Sequence, residues 1–324
     1  MRDTVYFTLP TNFSIDIVKA VAALLVICIH TGYPSVVGDY VVAICRAAVP
    51  IFLLISGYYY QVIIDRNKTL SYYKKILLLT FFSSFFYFIA NGIELSYLKV
   101  FRWDKMLIFS FPVTGDHLWY LYSLTKALII LAFCSNKIKN RLFGLIPLLL
   151  LGNYILSYSP KFWLYRNFLF TSLPYFWLGM YFYKNRNSVT ILFRSKNLCI
   201  LFFVIGILLQ CVEVYLYKHF NLIYIRDHYL ITPVLVTIIF CYALSVNLQK
   251  ENTISIIGKK YSAYIYILHI FVLSHYNDMI KVFNIEYRCF AYIKPLIIFS
   301  LTLVISVMIL KSYNILRNYI VIHK

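Results

Sequence analysis

The sequence predicts an all-α integral membrane protein of about ten transmembrane helices, with the N- and C-termini cytoplasmic. Three observations predict it. The 324 residues are 61% hydrophobic and only 13% charged, where a soluble chain is roughly half apolar and a quarter charged, and the mean hydropathy is +0.75. Apolar stretches of about 20 residues recur along the chain, the length a helix needs to cross hydrocarbon with its backbone groups paired internally. Lysine and arginine collect in alternate loops between those stretches.

The spans fall near 13–31, 40–64, 76–93, 118–134, 142–158, 167–183, 198–216, 229–247, 261–276 and 293–311. The first could be mistaken for a signal peptide, but it holds Asp16 and Lys19 and lacks a small-residue cleavage site before the polar break, so it reads as a retained helix. The second contains Arg46 and Pro50, and the fourth contains Lys126. Charges inside spans are costly and read as functional candidates, against the alternative that a long basic side chain snorkels to the interface, the reading favoured for Lys126. No connection exceeds about 24 residues, the longest running from Glu94 to His117, and no linker or repeat interrupts residues 1–324, which read as one membrane domain.

A net charge of +19 would suggest nucleic acid in a soluble chain. Here it reads as topology, with no nucleic-acid partner. Roughly 18 of the basic residues, including Arg66, Lys74 and Lys75, fall on the side shared by both termini, against roughly 10 opposite, among them Arg166 and Arg226. The seven cysteines show no CxxC or paired spacing, so neither disulfides nor a metal site is expected. Tyr58-Tyr59-Tyr60, Tyr72-Tyr73 and Tyr181-Phe182-Tyr183 at span ends read as interfacial belts, or alternatively as surfaces on which a sugar ring could stack.

In the first span Asp16 precedes Lys19 by three residues and His30 follows it by eleven, an offset within about 20° of three full helical turns. One face therefore carries all three, and Lys19 and His30 are separated by roughly 16 Å along the axis. Around them, Asp16-Ile17-Val18-Lys19 and Cys28-Ile29-His30 resemble the first helix of the membrane acyltransferase 3 family, a basic residue, ten residues and then a histidine, with an aspartate three before the basic residue. The resemblance continues through Arg46-Ala47-Ala48-Val49-Pro50-Ile51-Phe52, Ser56-Gly57-Tyr58, His117-Leu118-Trp119-Tyr120-Leu121, Phe176-Trp177-Leu178-Gly179 and Tyr264-Ile265-Tyr266-Ile267-Leu268-His269, across nearly the whole chain. One departure is that the family's Arg-x-x-Arg before the third helix is replaced by Lys74-Lys75, with Leu78 following.

The resemblance implies O-acyl transfer in the bacterial cytoplasmic membrane: acetyl from cytoplasmic acetyl-CoA to a hydroxyl of a cell-surface glycan such as lipopolysaccharide O-antigen or capsule, or of a lipid-linked sugar. On that reading Lys19, oriented by Asp16, contacts the donor, while Arg66, Lys74 and Lys75 attract it as point charges. His30 acts as general base or transient acyl carrier, Arg46 stabilises the oxyanion, and Asp116 with His117 supplies a second acid/base group or orients the acceptor. Ser56-Gly57 is read as a close-packing pair, and His269 has no assigned proton to move. With only 13 residues after Lys311, transfer is expected to be completed within the membrane domain or by a separate partner. The competing class is a transporter or exporter of a glycan precursor or small solute, because intramembrane charges also suit a substrate pathway.

Overall fold

A computed structural model describes residues 12–92, 114–134, 143–222, 226–246, 248–283 and 288–322, with isolated positions at 104, 106, 110, 112 and 141. The regular structure of the described residues is helical, with no strand among them. Most of the long connection read between Glu94 and His117 lies outside them, as do residues 1–11 and 323–324.

Helix α1 (Phe13–Thr31) starts where the Asn12 side chain accepts the Ile15 N–H at 3.0 Å, and it stops at Gly32, whose φ of +66° suits a residue without Cβ. Helix α2 (Ser35–Cys45) and helix α3 (Ala48–Asp65) replace the single span expected at 40–64. Pro50 has no N–H to offer the Arg46 carbonyl, so the chain tightens into a turn at Arg46-Ala47 and restarts, which leaves Arg46 at the joint. Helix α4 (Thr69–Ala90), helix α5 (Trp119–Phe133), helix α6 (Ile146–Leu156) and helix α7 (Leu173–Lys184) follow, with a short helix α8 (Arg186–Leu192) behind. Helix α9 (Lys196–His219), helix α10 (Thr232–Val246), the single turn α11 (Thr253–Ile256) with its capping box, helix α12 (Ser262–Phe283) and helix α13 (Arg288–Ile322) complete the chain.

Among the described residues, six helical segments are long and apolar enough to cross a membrane: Phe13–Thr31, Ser35–Asp65, Thr69–Ala90, Lys196–His219, Thr253–Val282 and Ala291–Leu316. The other four apolar stretches of the sequence are helices too, α5, α6, α7 and α10, but of 15, 11, 12 and 15 residues. At 1.5 Å per residue they reach about 16–22 Å, short of a hydrocarbon core of about 30 Å. Each stops at irregular backbone: a 3₁₀ turn at Asp116–Leu118 before α5, the Ser157–Asn167 connection after α6, a π turn at Phe168–Ser172 before α7, and the loop at 226–231 before α10. Irregular backbone at membrane depth is tolerable where it lines a polar cavity, and these segments do.

Two close approaches set the packing. A Cβ on Gly57 would fall 1.9 Å from the Phe176 carbonyl oxygen, and one on Gly179 would fall 2.0 Å from that of Leu54, so α3 and α7 meet backbone to backbone. This is the role read for Ser56-Gly57. A Cβ on Gly258 would fall 1.7 Å from the Asp16 carbonyl oxygen, and fourteen residues farther along α1 and eleven farther along the Thr253–Phe283 segment the rings of His30 and His269 lie 5.1 Å apart. Contacts met in the same order along both mean that α1 and the Thr253–Phe283 segment run parallel.

The tyrosine clusters depart from the belt reading. Tyr58, Tyr59 and Tyr60 are buried, Tyr58 packing on Tyr183 and Phe240, and Tyr60 on Phe176, Tyr72 and Tyr73. Ring area packed against ring area outweighs interfacial placement here. Tyr181 remains exposed.

Candidate active site

A cavity of about 90 Å³ opens where the irregular segments converge, at the end of the bundle reached by the last turn of α1. His30 stands exposed in its wall. Arg46 enters from the α2–α3 joint and Asp116-His117 from the 3₁₀ turn before α5. The fold thus brings together His30, Arg46, Asp116 and His117 from three separate stretches of sequence.

The centre of the charge network is a residue that sequence reasoning missed. Asp227 accepts from Arg46 Nη1 at 2.5 Å and takes Arg166 in a two-point fork, through Nε and through Nη2 at 2.9 Å. Burial alone would raise the Asp227 pKa, but the Arg46 and Arg166 guanidiniums outweigh it and hold the carboxyl at about 2. Arg166, counted above as a loop charge, is therefore a structural half of this cluster.

Arg226 explains how Asp227 is held there. It is 1% exposed, although it too had been read as a topology charge. Its guanidinium lies 3.7 Å from the ring centre of Tyr158, 4.7 Å from that of Tyr154 and 5.0 Å from that of Tyr217. It donates to the Tyr217 hydroxyl at 2.7 Å, to the Tyr154 carbonyl at 2.7 Å and to Ser157 Oγ. The Leu230 N–H donates to Glu213 Oε2 at 3.0 Å on the other side of the loop. Anchored before and after, residues 227 and 228 have little freedom, and His228 donates to or accepts from the Tyr175 hydroxyl at 2.6 Å.

Behind the cavity the histidines form a cluster. His117 Nε2 lies 3.3 Å from the Ile267 carbonyl, which can only accept, so that nitrogen carries the proton. Tyr266 donates to the His117 carbonyl, and Tyr87 donates to that of Ile267 at 2.6 Å. His269, 0% exposed, gives its Nδ1 proton to the Tyr266 carbonyl at 2.7 Å, and its ring sits 5.1 Å from His30 and 5.3 Å from His117. The residue left without a role in the sequence thus packs against the His30 and His117 rings from behind the cavity.

The remaining candidates lie elsewhere. Lys19 Nζ donates to Asp16 at 2.8 Å and sits 5.1 Å from the Tyr59 ring centre, roughly 16 Å along α1 from His30, and neither Lys19 nor Asp16 lines the cavity. Arg66 follows α3, and Lys74 and Lys75 occupy the second turn of α4; all three are exposed, near the Lys19 end through the Tyr60–Tyr73 hydroxyl pair. Lys126 does not snorkel but donates to the Met106 carbonyl, with the Phe168 ring 5.9 Å away. No group of three His, Cys, Asp or Glu side chains among the described residues is placed to hold a metal ion.

Comparison with curated proteins and with solved structures returns no match. Comparison with family models does: one described as an acyltransferase domain matches residues 12–311, through every element that builds the cavity and the Lys19 end alike. The chain belongs to the acyltransferase 3 family of membrane acyltransferases.

Proposed function

We propose that the protein moves an acetyl group from acetyl-CoA to a hydroxyl of an envelope glycan or lipid-linked sugar, as a multi-pass enzyme of the bacterial cytoplasmic membrane. The observation that carries this is the cavity, which gathers an exposed imidazole, a second histidine and an arginine–aspartate–arginine cluster at one end of a helix whose other end bears Lys19.

The acceptor hydroxyl gives its proton to His30 as its oxygen attacks the thioester carbonyl carbon. The carbonyl electron pair moves onto oxygen beside Arg46, and collapse of that intermediate breaks the C–S bond and releases the CoA thiol. Arg46 is held in place by Asp227, so its charge is preorganised and not recruited at the moment of reaction. Asp116 and His117 position the acceptor. Lys19, neutralised in its own surroundings by Asp16, contacts the polar donor, and Arg66, Lys74 and Lys75 draw it in.

Protein purified into nanodiscs and given acetyl-CoA with envelope polysaccharide should release CoA thiol and form alkali-labile esters. Lys19→Ala and His30→Ala should each abolish this while leaving expression and insertion intact. Full activity in His30→Ala overturns the mechanism. The broken helices around a polar cavity also suit a solute carrier; solute flux into proteoliposomes with no acetyl-CoA consumed would favour that reading over the enzyme.

A further inference from the structure

Three buried polar atoms on the walls of this one cavity have no hydrogen-bond partner: Arg46 Nε, His228 Nδ1 and Asn153 Oδ1. Buried polar atoms are nearly always paired, so three orphans around one cavity point to a ligand that pairs them.

Their chemistry can be assigned. Arg46 Nε is a donor, having no lone pair to offer. Asn153 Nδ2 faces acceptors, the Phe170 carbonyl at 3.0 Å and the Tyr165 carbonyl at 3.4 Å, together with Thr171 Oγ1 at 2.7 Å, so its Oδ1 is the acceptor.

For His228, the Tyr175 hydroxyl is 0% exposed and has one partner, His228 Nε2 at 2.6 Å. Were Nε2 the donor, the buried Tyr175 proton and Nδ1 would both be left unpaired. With the hydroxyl donating, only Nδ1–H is unpaired, and that arrangement costs less. Tyr175 does not line the cavity whereas His228 does, so Nε2 is committed to a partner outside the cavity and Nδ1 is the ring nitrogen left for a ligand. Burial, then the neighbouring Arg226 charge, pushes the His228 pKa down to about 3, so the ring is neutral at working pH and presents one fixed N–H.

Resting on the acyl-transfer reading above, we propose that His228 is a further catalytic residue, its Nδ1–H joining Arg46 Nε–H to bind the thioester carbonyl oxygen as that oxygen becomes an oxyanion. The acceptor hydroxyl forms the new C–O bond, its proton goes to His30, and the carbonyl π pair becomes the charge these two N–H groups stabilise. When the C–S bond breaks the charge leaves with the thiolate, which takes up a proton. Asn153 Oδ1 accepts from a hydroxyl of the acceptor, the one group in the set that wants a donor. Tyr175 is a positioning residue, setting the tautomer.

Asparagine and glutamine separate this role from a structural one, because an Asn amide nitrogen replaces Nδ1 and keeps the donor, whereas a Gln amide replaces Nε2 and keeps only the Tyr175 bond. The assay is CoA thiol release from acetyl-CoA with envelope polysaccharide, on protein in nanodiscs, with thermal unfolding of each variant measured alongside. H228Q should lose ~10²–10³-fold in kcat, the cost of one oxyanion donor, with KM for acetyl-CoA little changed. H228N should stay within about tenfold of wild type, since it keeps that donor. Tyr175→Phe, which deletes one oxygen and spares the fold, should lower kcat roughly tenfold, the worth of the hydrogen bond that sets the tautomer. H228Q as active as H228N or more so, or Tyr175→Phe without effect, overturns the proposal; if His30→Ala is then still inactive, the acyl-transfer reading stands without it. A wild type that consumes no acetyl-CoA overturns both.

Discussion

Asp227→Asn removes the one negative charge between two guanidiniums. At an effective dielectric of ~20, a unit charge about 4 Å from another gains ~4 kcal/mol, and Asp227 has two such neighbours, Arg46 and Arg166. Burial of the carboxylate offsets most of that gain. The balance is visible in its pKa, about 2 against an ordinary 3.8, which at ~1.4 kcal/mol per unit favours the charged form by roughly 2.5 kcal/mol. The substitution costs more than this balance, because Arg46 and Arg166 are left facing each other, and breaking a buried pair from one side costs ~3–5 kcal/mol.

For a chain of this size that corresponds to an apparent melting point lower by about 6–10 °C, read by tryptophan fluorescence in detergent at a fixed scan rate. The sign with pH follows from the lowered pKa: the Asp227 contribution is full above pH 3.8 and is lost as pH falls toward 2, so wild type and variant should converge there. Adding Arg166→Gln to Asp227→Asn removes one of the opposed charges and should recover stability relative to Asp227→Asn alone. Wild-type stability and activity in Asp227→Asn, or further loss in the double variant, would refute this account of the cluster.

Three other outcomes follow from the packing. Gly57→Ala and Gly179→Ala place a Cβ about 2 Å from a carbonyl oxygen of the facing helix, so the helices must separate; folded yield in detergent-solubilised membranes should fall, with a loss of ~1–3 kcal/mol or more. Arg226→Lys keeps the charge but not the fork that reaches Tyr217, Tyr154 and Ser157 together, and should destabilise by ~2 kcal/mol and lower kcat without matching loss of donor affinity, read by melting and by acetyl-CoA kinetics. Ser56→Ala gives up bonds from one hydroxyl, to the Phe52 carbonyl at 2.7 Å and Tyr120 at 3.3 Å, and should change stability by less than ~1 kcal/mol and activity hardly at all.

What could be read from the sequence was what a single helix or a short motif contains. Asp16, Lys19 and His30 share α1, so their spacing follows from helix pitch alone, and the Gly57 and Gly179 contacts follow from small residues in apolar runs. Asp227 and its partners could not be read that way, since Arg46, Arg166 and Asp227 lie 61 residues or more apart and meet only through the tertiary fold. The positive-inside rule hid them further: it counts Arg166 and Arg226 as loop charges because it has no measure of depth, yet Arg226 is sealed among tyrosines at 1% exposure. A sharper signal was present in the tripeptide Arg226-Asp227-His228, three consecutive polar side chains immediately before the apolar span at 229–247. The same depth error lengthened the spans. A hydropathy window runs through 167–183 without a break, whereas the chain spends Phe168–Ser172 on a π turn capped by Asn167, and α7 begins only at Leu173. Thr171 of that turn lines the cavity together with His30, Arg46, Asp116, His117 and His228. The four short helices end at irregular segments that line a polar cavity in an apolar bundle, and it is to that cavity that the proposed chemistry is assigned.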